Sequence, residues 1–271
     1  MIVALALALT IVAAENFYGD VAQQIGGSHV QVTSILNNPD EDPHLFEVNP
    51  AVARAISGAR IVVYNGIDYD PWTIKLLGAA RSNNRLTIAV ADLAGKKVGD
   101  NPHVWYDPAI MLAYAKALAG DLEQVDPANR ADYANHLRTF TQSLAPIQTR
   151  IAAMRRRFSG TPVAATEPVF GYMLDALGMQ VHDTHFQLAV MNNTEPSARD
   201  VATFERELST HTVRMLVYNS QASDPTAQRM LDLANRAHVP VVGVTETEPP
   251  GKTYQAWMTA ELDAVEGALS K

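Results

Sequence analysis

Two histidines and two glutamates stand where they could bind a metal ion. His44 and His103 each follow a proline, which restricts the local backbone and helps to hold an imidazole in place. Glu167 and Glu246 add two carboxylates from the second half of the chain. Imidazole nitrogen and carboxylate oxygen are ligands that divalent transition metals accept. Because the chain contains no cysteine, any metal must be held by His, Asp, Glu or carbonyl oxygen.

Each of these residues also has an ordinary interpretation. A histidine after a proline is often a loop or capping residue, and a glutamate at a helix N-terminus is stabilised by the helix dipole. The residue types and their spacing therefore leave both interpretations open, and the elements that position the residues decide between them.

The elements are predicted to alternate between strand and helix. Short β-branched runs are separated by helical patterns, which predicts βα units, mostly parallel sheets and an α/β fold. The predicted strands cover residues 10–14, 30–36, 60–64, 86–90, 162–166, 179–183, 213–218 and 239–244. The four candidate ligands follow the second, fourth, fifth and eighth of these strands. Parallel sheets bind ligands at the carboxyl ends of their strands, so this placement favours the metal interpretation.

The chain is predicted to form two lobes joined by a helix. An N-terminal α/β lobe covers residues 10–125, a connecting helix covers residues 126–158, and a C-terminal α/β lobe covers residues 159–271. Further helices are predicted near residues 168–177, 197–209, 225–237 and 253–269. Pro146 is expected to kink or break the connecting helix. The two halves share an architecture but no convincing repeat of residues. If they face one another, the four ligands meet in a cleft between them.

A series of motifs resembles the zinc- and manganese-type substrate-binding proteins of ABC importers, known as cluster A-I. The resemblance spans residues 10–269. The motifs are Ala13-Ala14-Glu15-Asn16-Phe17-Tyr18-Gly19-Asp20, Ile25-Gly26-Gly27, Asp42-Pro43-His44, Tyr64-Asn65-Gly66, Asn101-Pro102-His103-Val104-Trp105, residues 167–172, Thr194-Glu195-Pro196-Ser197 and Gly251-Lys252-Thr253-Tyr254.

The resemblance implies two α/β lobes with a metal between them. His44 and His103 match the two His ligands of the family, and Glu167 falls where members carry His or Glu. Glu246 falls where members often carry Asp, with Glu248 as the nearby alternative. The sequence departs from many zinc members because it lacks their His- and acid-rich loop. The corresponding segment, residues 91–100, is short and contains no His.

The function that the resemblance implies is capture of a metal cargo. The protein is expected to bind Mn²⁺ or Zn²⁺, with Fe²⁺ as a third candidate, and to deliver it to the membrane permease of an ABC transporter. It is then not an enzyme. A metallohydrolase that uses the same His and Glu residues is the alternative, but it needs an open coordination position and a general base, and the chain has no HExxH motif. A structural or adhesive protein would leave the four residues unexplained.

Composition narrows the partners and the compartment. The chain has 21 Lys and Arg against 29 Asp and Glu, and the resulting net charge of −8 argues against nucleic-acid binding. Separately, we expect the protein to be a monomer. Residues 1–9 are interpreted as the remnant of a secretory signal, which places the protein in the periplasm or another extracytoplasmic compartment.

His182 and His185 could form a secondary metal contact, although two residues three apart on an extended segment point to opposite faces.

Overall fold

The computed structural model describes residues 8–38 and 46–270. His44 and most of the predicted signal remnant lie outside the described residues. Contacts divide the described chain into two units, one formed by residues 8–38 and 46–144 and the other by residues 145–270. Over this part of the chain, no helix combines the length and the apolar character that a membrane crossing needs.

The first unit is a four-stranded parallel sheet with helices. Its strands lie in the order β2-β1-β3-β4. The strands are β1 (Leu9–Glu15), β2 (Val30–Leu36), β3 (Ile61–Tyr64) and β4 (Leu86–Ala89), and the helices are α1 (Asn16–Gly26), α2 (Pro50–Gly58), α3 (Pro71–Ala79) and α4 (Pro108–Val125). The helix α5 (Arg130–Phe158) begins in this unit and ends in the next.

The second unit repeats this topology. Its parallel strands lie in the order β6-β5-β7-β8. The strands are β5 (Pro162–Ala165), β6 (Gln180–Val181), β7 (Leu216–Asn219) and β8 (Val241–Val244), and the helices are α6 (Gly171–Ala176), α7 (Thr184–Met191), α8 (Ala198–Ser209), α9 (Pro225–Arg236) and α10 (Tyr254–Leu269). The predicted α/β fold with mostly parallel sheets is confirmed.

Capping residues followed by proline mark the start of several helices. Asn49, Asp107 and Asp224 each cap a helix whose first residue is proline, and each side chain accepts a backbone N–H of the first turn. Proline suits this position because its missing N–H has no helical partner there. The caps therefore mark the first turns of α2, α4 and α9.

The carboxyl ends of equivalent strands carry the same short sequence. Val63 and Tyr64 end β3 and are followed by Asn65, whereas Val217-Tyr218-Asn219 ends β7, and these two strands hold the same position in their sheets. The sequence by itself gave no convincing repeat because three residues are too few to stand out until the topology aligns them. In each sheet the strand order reverses beside this strand, which is where open α/β sheets form ligand crevices.

Two expectations about local structure need correction. Helix α5 continues through Pro146, so the proline does not break it. Phe140 and Leu144 before the proline and Ile147 after it are all buried, and their burial outweighs the missing backbone hydrogen bond.

The strand expected at residues 179–183 is only Gln180–Val181, and α7 follows it where no helix was predicted. Helix α7 has no side-chain cap and begins after Asp183, which is in a left-handed conformation, so the usual start signal is missing.

Candidate metal-binding residues

Two of the predicted ligands lie close together in the second unit. Glu167 follows β5 and Glu246 follows β8, and they are only 4% and 0% exposed. Nδ2 of Asn219, at the end of β7, lies 2.6 Å from Oε1 of Glu246 and 3.4 Å from Oε1 of Glu167. One amide group therefore contacts two buried carboxylates that come from strand ends distant in sequence.

The segment that carries Glu246 is held by a neighbouring glutamine. Oε1 of Gln221 accepts the backbone N–H groups of Glu246 and Thr247, at 2.6 and 3.0 Å, and its Nε2 donates to Oγ1 of Thr247 at 2.8 Å. Oγ1 of Thr245 donates to the carbonyl oxygen of Thr247 at 2.8 Å. These bonds fix the backbone on both sides of Glu246, so its side chain leaves from a defined position.

In the first unit, His103 is fully buried with a defined tautomer. Oδ1 of Asn101 accepts the backbone N–H of His103 at 3.1 Å and lies 2.6 Å from Nδ1 of its ring. Since a backbone N–H can only donate, the atom that faces it must be the amide oxygen, and Nδ1 must then carry the ring proton. In the neutral imidazole, Nε2 is then the nitrogen with the lone pair that a metal ion requires.

A buried asparagine also holds the segment before His103. Nδ2 of Asn65 donates to the carbonyl oxygen of Pro102 at 3.0 Å, while Oδ1 of Asn65 accepts the hydroxyl of Tyr18 at 2.7 Å. The rings of Tyr69 and Trp105 pack edge-on against the imidazole, with centroids 6.0 and 5.2 Å away. Polar contacts and ring packing together restrict the orientation of His103.

The remaining predicted residues are placed as follows. His44 lies outside the described residues. Glu248, the alternative to Glu246, is also buried, but the Asn219 amide that donates to Glu167 has Glu246 as its other acceptor. Within each unit, the residues that the structure describes contain no group of three or more His, Asp and Glu side chains that could hold a metal ion.

The structure places the two histidines of the second pair in different surroundings. Nδ1 of His182 lies 2.8 Å from Oε2 of Glu207 in α8, whereas His185 is an exposed residue in the first turn of α7. His182 is therefore engaged with a carboxylate of its own unit, in keeping with the ordinary interpretation.

The sequence interpretation assigned no role to the residues that hold the candidate ligands. Asn101, Gln221 and Asn219 each contact a candidate ligand or its backbone. The repeated Val-Tyr-Asn at two strand ends was the signal that could have identified Asn219.

An α/β protein with parallel sheets and buried His and Glu residues at their carboxyl edges belongs to the class that binds small ligands there. The chain belongs to the family described as zinc-uptake complex component A, periplasmic, which matches residues 11–268. The resemblance drawn from the motifs is confirmed.

Relatives extend over almost the whole chain. The manganese ABC transporter substrate-binding lipoprotein PsaA of Streptococcus anginosus is 24% identical over 284 residues, covering 97% of this chain and 90% of the relative. A putative metal-binding protein of Treponema pallidum is 24% identical over 287 residues, covering 97% of this chain and 88% of the relative. The match is thus to whole proteins and not to an isolated segment.

Solved structures share the fold. The periplasmic zinc-binding protein TroA of Treponema pallidum superposes with a TM-score of 0.82 at 18% identity, over 98% of this chain and 100% of that one. An Mn-bound mutant of a periplasmic metal-binding protein of Candidatus Liberibacter asiaticus gives 0.76 at 20% identity, over 96% and 99%. At these identities the likeness is one of fold.

Proposed function

We propose that this protein is an extracytoplasmic substrate-binding protein that captures a divalent metal ion, Mn²⁺ or Zn²⁺ with Fe²⁺ as a third candidate, and delivers it to an ABC importer. The observation that carries the proposal is the buried pair of Glu167 and Glu246 at the carboxyl ends of β5 and β8, joined by one amide. Burying two carboxyl groups side by side is unfavourable unless a cation or hydrogen bonds compensate. A divalent cation supplies that compensation.

The proposed ligands are His44, His103, Glu167 and Glu246. Nε2 of His103 has the lone pair for a metal because Nδ1 donates to Asn101. We prefer Glu246 to Glu248 because Glu246 shares a hydrogen-bond donor with Glu167. Two imidazoles and two carboxylates form a set that manganese, iron and zinc all accept.

The partner of the loaded protein is the membrane permease of the transporter. The compartment is the periplasm or its extracytoplasmic equivalent, and the protein acts as a monomer that does not bind nucleic acid. The metal is cargo and not a catalytic cofactor, so the protein is not an enzyme. None of the relatives named above is a hydrolase, and the metallohydrolase alternative therefore has no support.

Metal titration of the chelator-treated, untagged protein tests this function. We expect one metal ion per chain. Alanine substitution of His44, His103, Glu167 or Glu246 should weaken binding by more than roughly 100-fold, because the loss of a ligand exceeds the 10–100-fold effect of losing a residue that only supports one.

Glu248→Ala is the matched control, since it removes a buried carboxylate two residues from Glu246. It should bind metal like the parent protein. If Glu246→Ala bound metal normally and Glu248→Ala lost metal binding, the fourth ligand would be Glu248 and not Glu246. Failure of the parent protein to bind any of the three metals would refute the proposed function.

A further inference from the structure

We propose that Asn219 is a positioning residue that fixes the orientation of the two carboxylates through which the second unit binds its metal. This inference rests on the proposed function, and it concerns a residue that is not itself a ligand. Asn219 is 7% exposed and ends the central strand β7, between the strands that lead to Glu167 and Glu246.

The orientation of the Asn219 amide follows from its neighbours. The backbone N–H of Gln221 donates to Oδ1 of Asn219 at 3.0 Å. A backbone N–H cannot accept a hydrogen bond, so the oxygen of the amide must face Gln221 and the NH₂ group must face the glutamates. The two hydrogens of Nδ2 are then available to Oε1 of Glu246 and Oε1 of Glu167.

The backbone of Asn219 fixes the same segment from a second direction. Its N–H donates to Oγ1 of Thr166 at 3.3 Å, and Thr166 directly precedes Glu167. Asn219 thus contacts the segment of one glutamate through its backbone and both glutamates through its side chain. Rotation of either carboxylate breaks a contact with a residue that is itself held by the sheet.

A neutral donor suits this position better than a charged one. A lysine or arginine between the glutamates would neutralise them and repel an incoming cation, whereas an aspartate would add a third carboxylate and repel the other two. An amide donates hydrogen bonds to both carboxylates and leaves their combined charge for the metal. Asn219 therefore separates two like charges without competing with the cargo.

The first unit contains the equivalent arrangement. Asn65 follows β3, the strand that corresponds to β7, and its Nδ2 donates to the carbonyl oxygen of Pro102, the residue before His103. In both units, the asparagine of the Val-Tyr-Asn repeat contacts the segment after the last strand of the sheet, β4 or β8. Each of these segments carries a proposed ligand. The recurrence supports positioning as the role of Asn219.

Two substitutions test this role, with cobalt(II) as a probe whose absorption spectrum reports coordination geometry. Asn219→Leu has a similar size but no donor, and it should lower the affinity for Mn²⁺ and Zn²⁺ by roughly 10–100-fold and alter the cobalt spectrum. Asn219→Asp keeps an acceptor for the backbone N–H of Gln221, but its carboxylate repels the carboxylates of both glutamates. It should therefore also alter the cobalt spectrum.

Ser220→Ala is the control, because Oγ of Ser220 donates to the carbonyl oxygen of Val244 at 2.9 Å and neither glutamate takes part. It should keep the parent affinity and spectrum. An unchanged cobalt spectrum in a folded Asn219 variant overturns the proposal even if its affinity falls, since a purely structural loss weakens binding without changing coordination. If Asn219→Leu does not fold, Asn219→Asp decides the question. If the parent protein binds no metal, the proposed function fails as well; if it binds and the variant spectra match it, this inference alone fails.

Discussion

At the scale of single residues, the first unit contains a buried pair of carboxyl groups, Glu15 and Asp70. Burial raises the pKa of Glu15, at the end of β1, well above its ordinary value, and the neighbouring Asp70 adds to the increase. Burial likewise raises the pKa of Asp70 to about 6, although it accepts the backbone N–H groups of Asn65 and Gly66. Glu15 consequently takes up a proton more readily than an exposed glutamate, and Asp70 holds the turn from which Asn65 reaches Pro102.

Glu261 is a buried acid in the second unit, away from the proposed ligands in sequence. It lies in α10, is 8% exposed, and accepts a hydrogen bond from Nε1 of Trp257 at 3.0 Å. Burial raises the pKa of Glu261 to about 7, although the Trp257 hydrogen bond and the charge of Lys252 act to lower it. The folded protein therefore binds this proton more tightly than the unfolded chain does.

We predict that Glu261→Gln stabilises the protein at pH 8 but not at pH 5. Because the folded pKa is raised, the stability that the protonated carboxyl provides is present below the unfolded pKa, near 4.5, and is lost as the pH rises through 7. Glutamine retains the acceptor for Trp257 and does not ionise, so the free energy of unfolding at pH 8 should rise by roughly 2–3 kcal/mol. Urea denaturation at the two pH values measures the difference.

The exposed Glu195 provides the comparison for this prediction. Glu195→Gln should change the free energy of unfolding little at either pH, since substitutions of exposed residues away from caps and buried contacts usually have small effects. Equal stabilisation by Glu261→Gln at pH 5 and pH 8 would show that the effect is not one of ionisation.

Single residues could be predicted from the sequence only in part. His103, Glu167 and Glu246 were selected because they follow predicted strands and match family motifs, and the structure indeed places them after β4, β5 and β8. Asn219 was missed because its contacts depend on which strands are neighbours in the sheet. The sequence can indicate that an asparagine ends a strand. It does not indicate that two glutamates from neighbouring strands lie on either side of that asparagine.

At the scale of elements, Pro146 is the clearest case of burial overriding a local rule. A proline in a helix interior costs about 3 kcal/mol because it lacks an N–H and clashes with the preceding turn. Helix α5 nevertheless runs from Arg130 to Phe158, with Leu144 and Ile147 both buried beside the proline. The change from one unit to the other falls between residues 144 and 145, directly before it.

We predict that Pro146→Ala raises the free energy of unfolding by about 2 kcal/mol. Alanine restores the missing backbone donor and removes the clash, while the greater freedom of the unfolded chain offsets about 1 kcal/mol of the gain. Midpoints of urea unfolding, followed by far-ultraviolet circular dichroism, measure the change.

Pro225→Ala is the matched control because Pro225 is the first residue of α9, where proline is favourable. It should give no stabilisation. A Pro146→Ala variant no more stable than the parent would mean that α5 needs the shape that proline imposes.

Element boundaries were predictable where caps and prolines mark them. The starts of α2, α4 and α9 carry such marks, because Asn49, Asp107 and Asp224 each stand directly before a proline. Helix α7 was not predictable in this way, because its apolar residues do not fall on one face and no capping side chain marks its start. Tertiary packing of Phe186 and Val190 into the core of the second unit explains why this segment is helical.

At the scale of the whole molecule, the alternation of strands and helices was sufficient to predict the fold class. Parallel strands buried on both faces give continuous apolar runs, and those runs are visible in the sequence. The strand order that both units share was not predictable, because every order of four parallel strands has the same alternation along the chain. The equivalence of Asn65 and Asn219 therefore emerges only from the structure.

The choice of metal is also a property of the whole protein and its compartment. The proposed set of two imidazoles and two carboxylates is harder than a set of three imidazoles, which favours manganese or ferrous iron. Residues 91–100 contain no His, unlike the His-rich loop of many zinc members. The general order of metal affinities nevertheless places zinc above manganese at most such sites.

We therefore predict that zinc binds the purified protein more tightly than manganese, whereas manganese is the cargo in the cell. A strain that lacks the gene should contain less manganese and should recover growth when manganese is added, because uptake depends on the supply of each metal as well as on affinity. Complementation with the Glu246→Ala variant is the control and should not restore manganese content. Growth rescued by zinc alone, with manganese content unchanged, would make zinc the cargo and show that the carboxylates do not determine the preference.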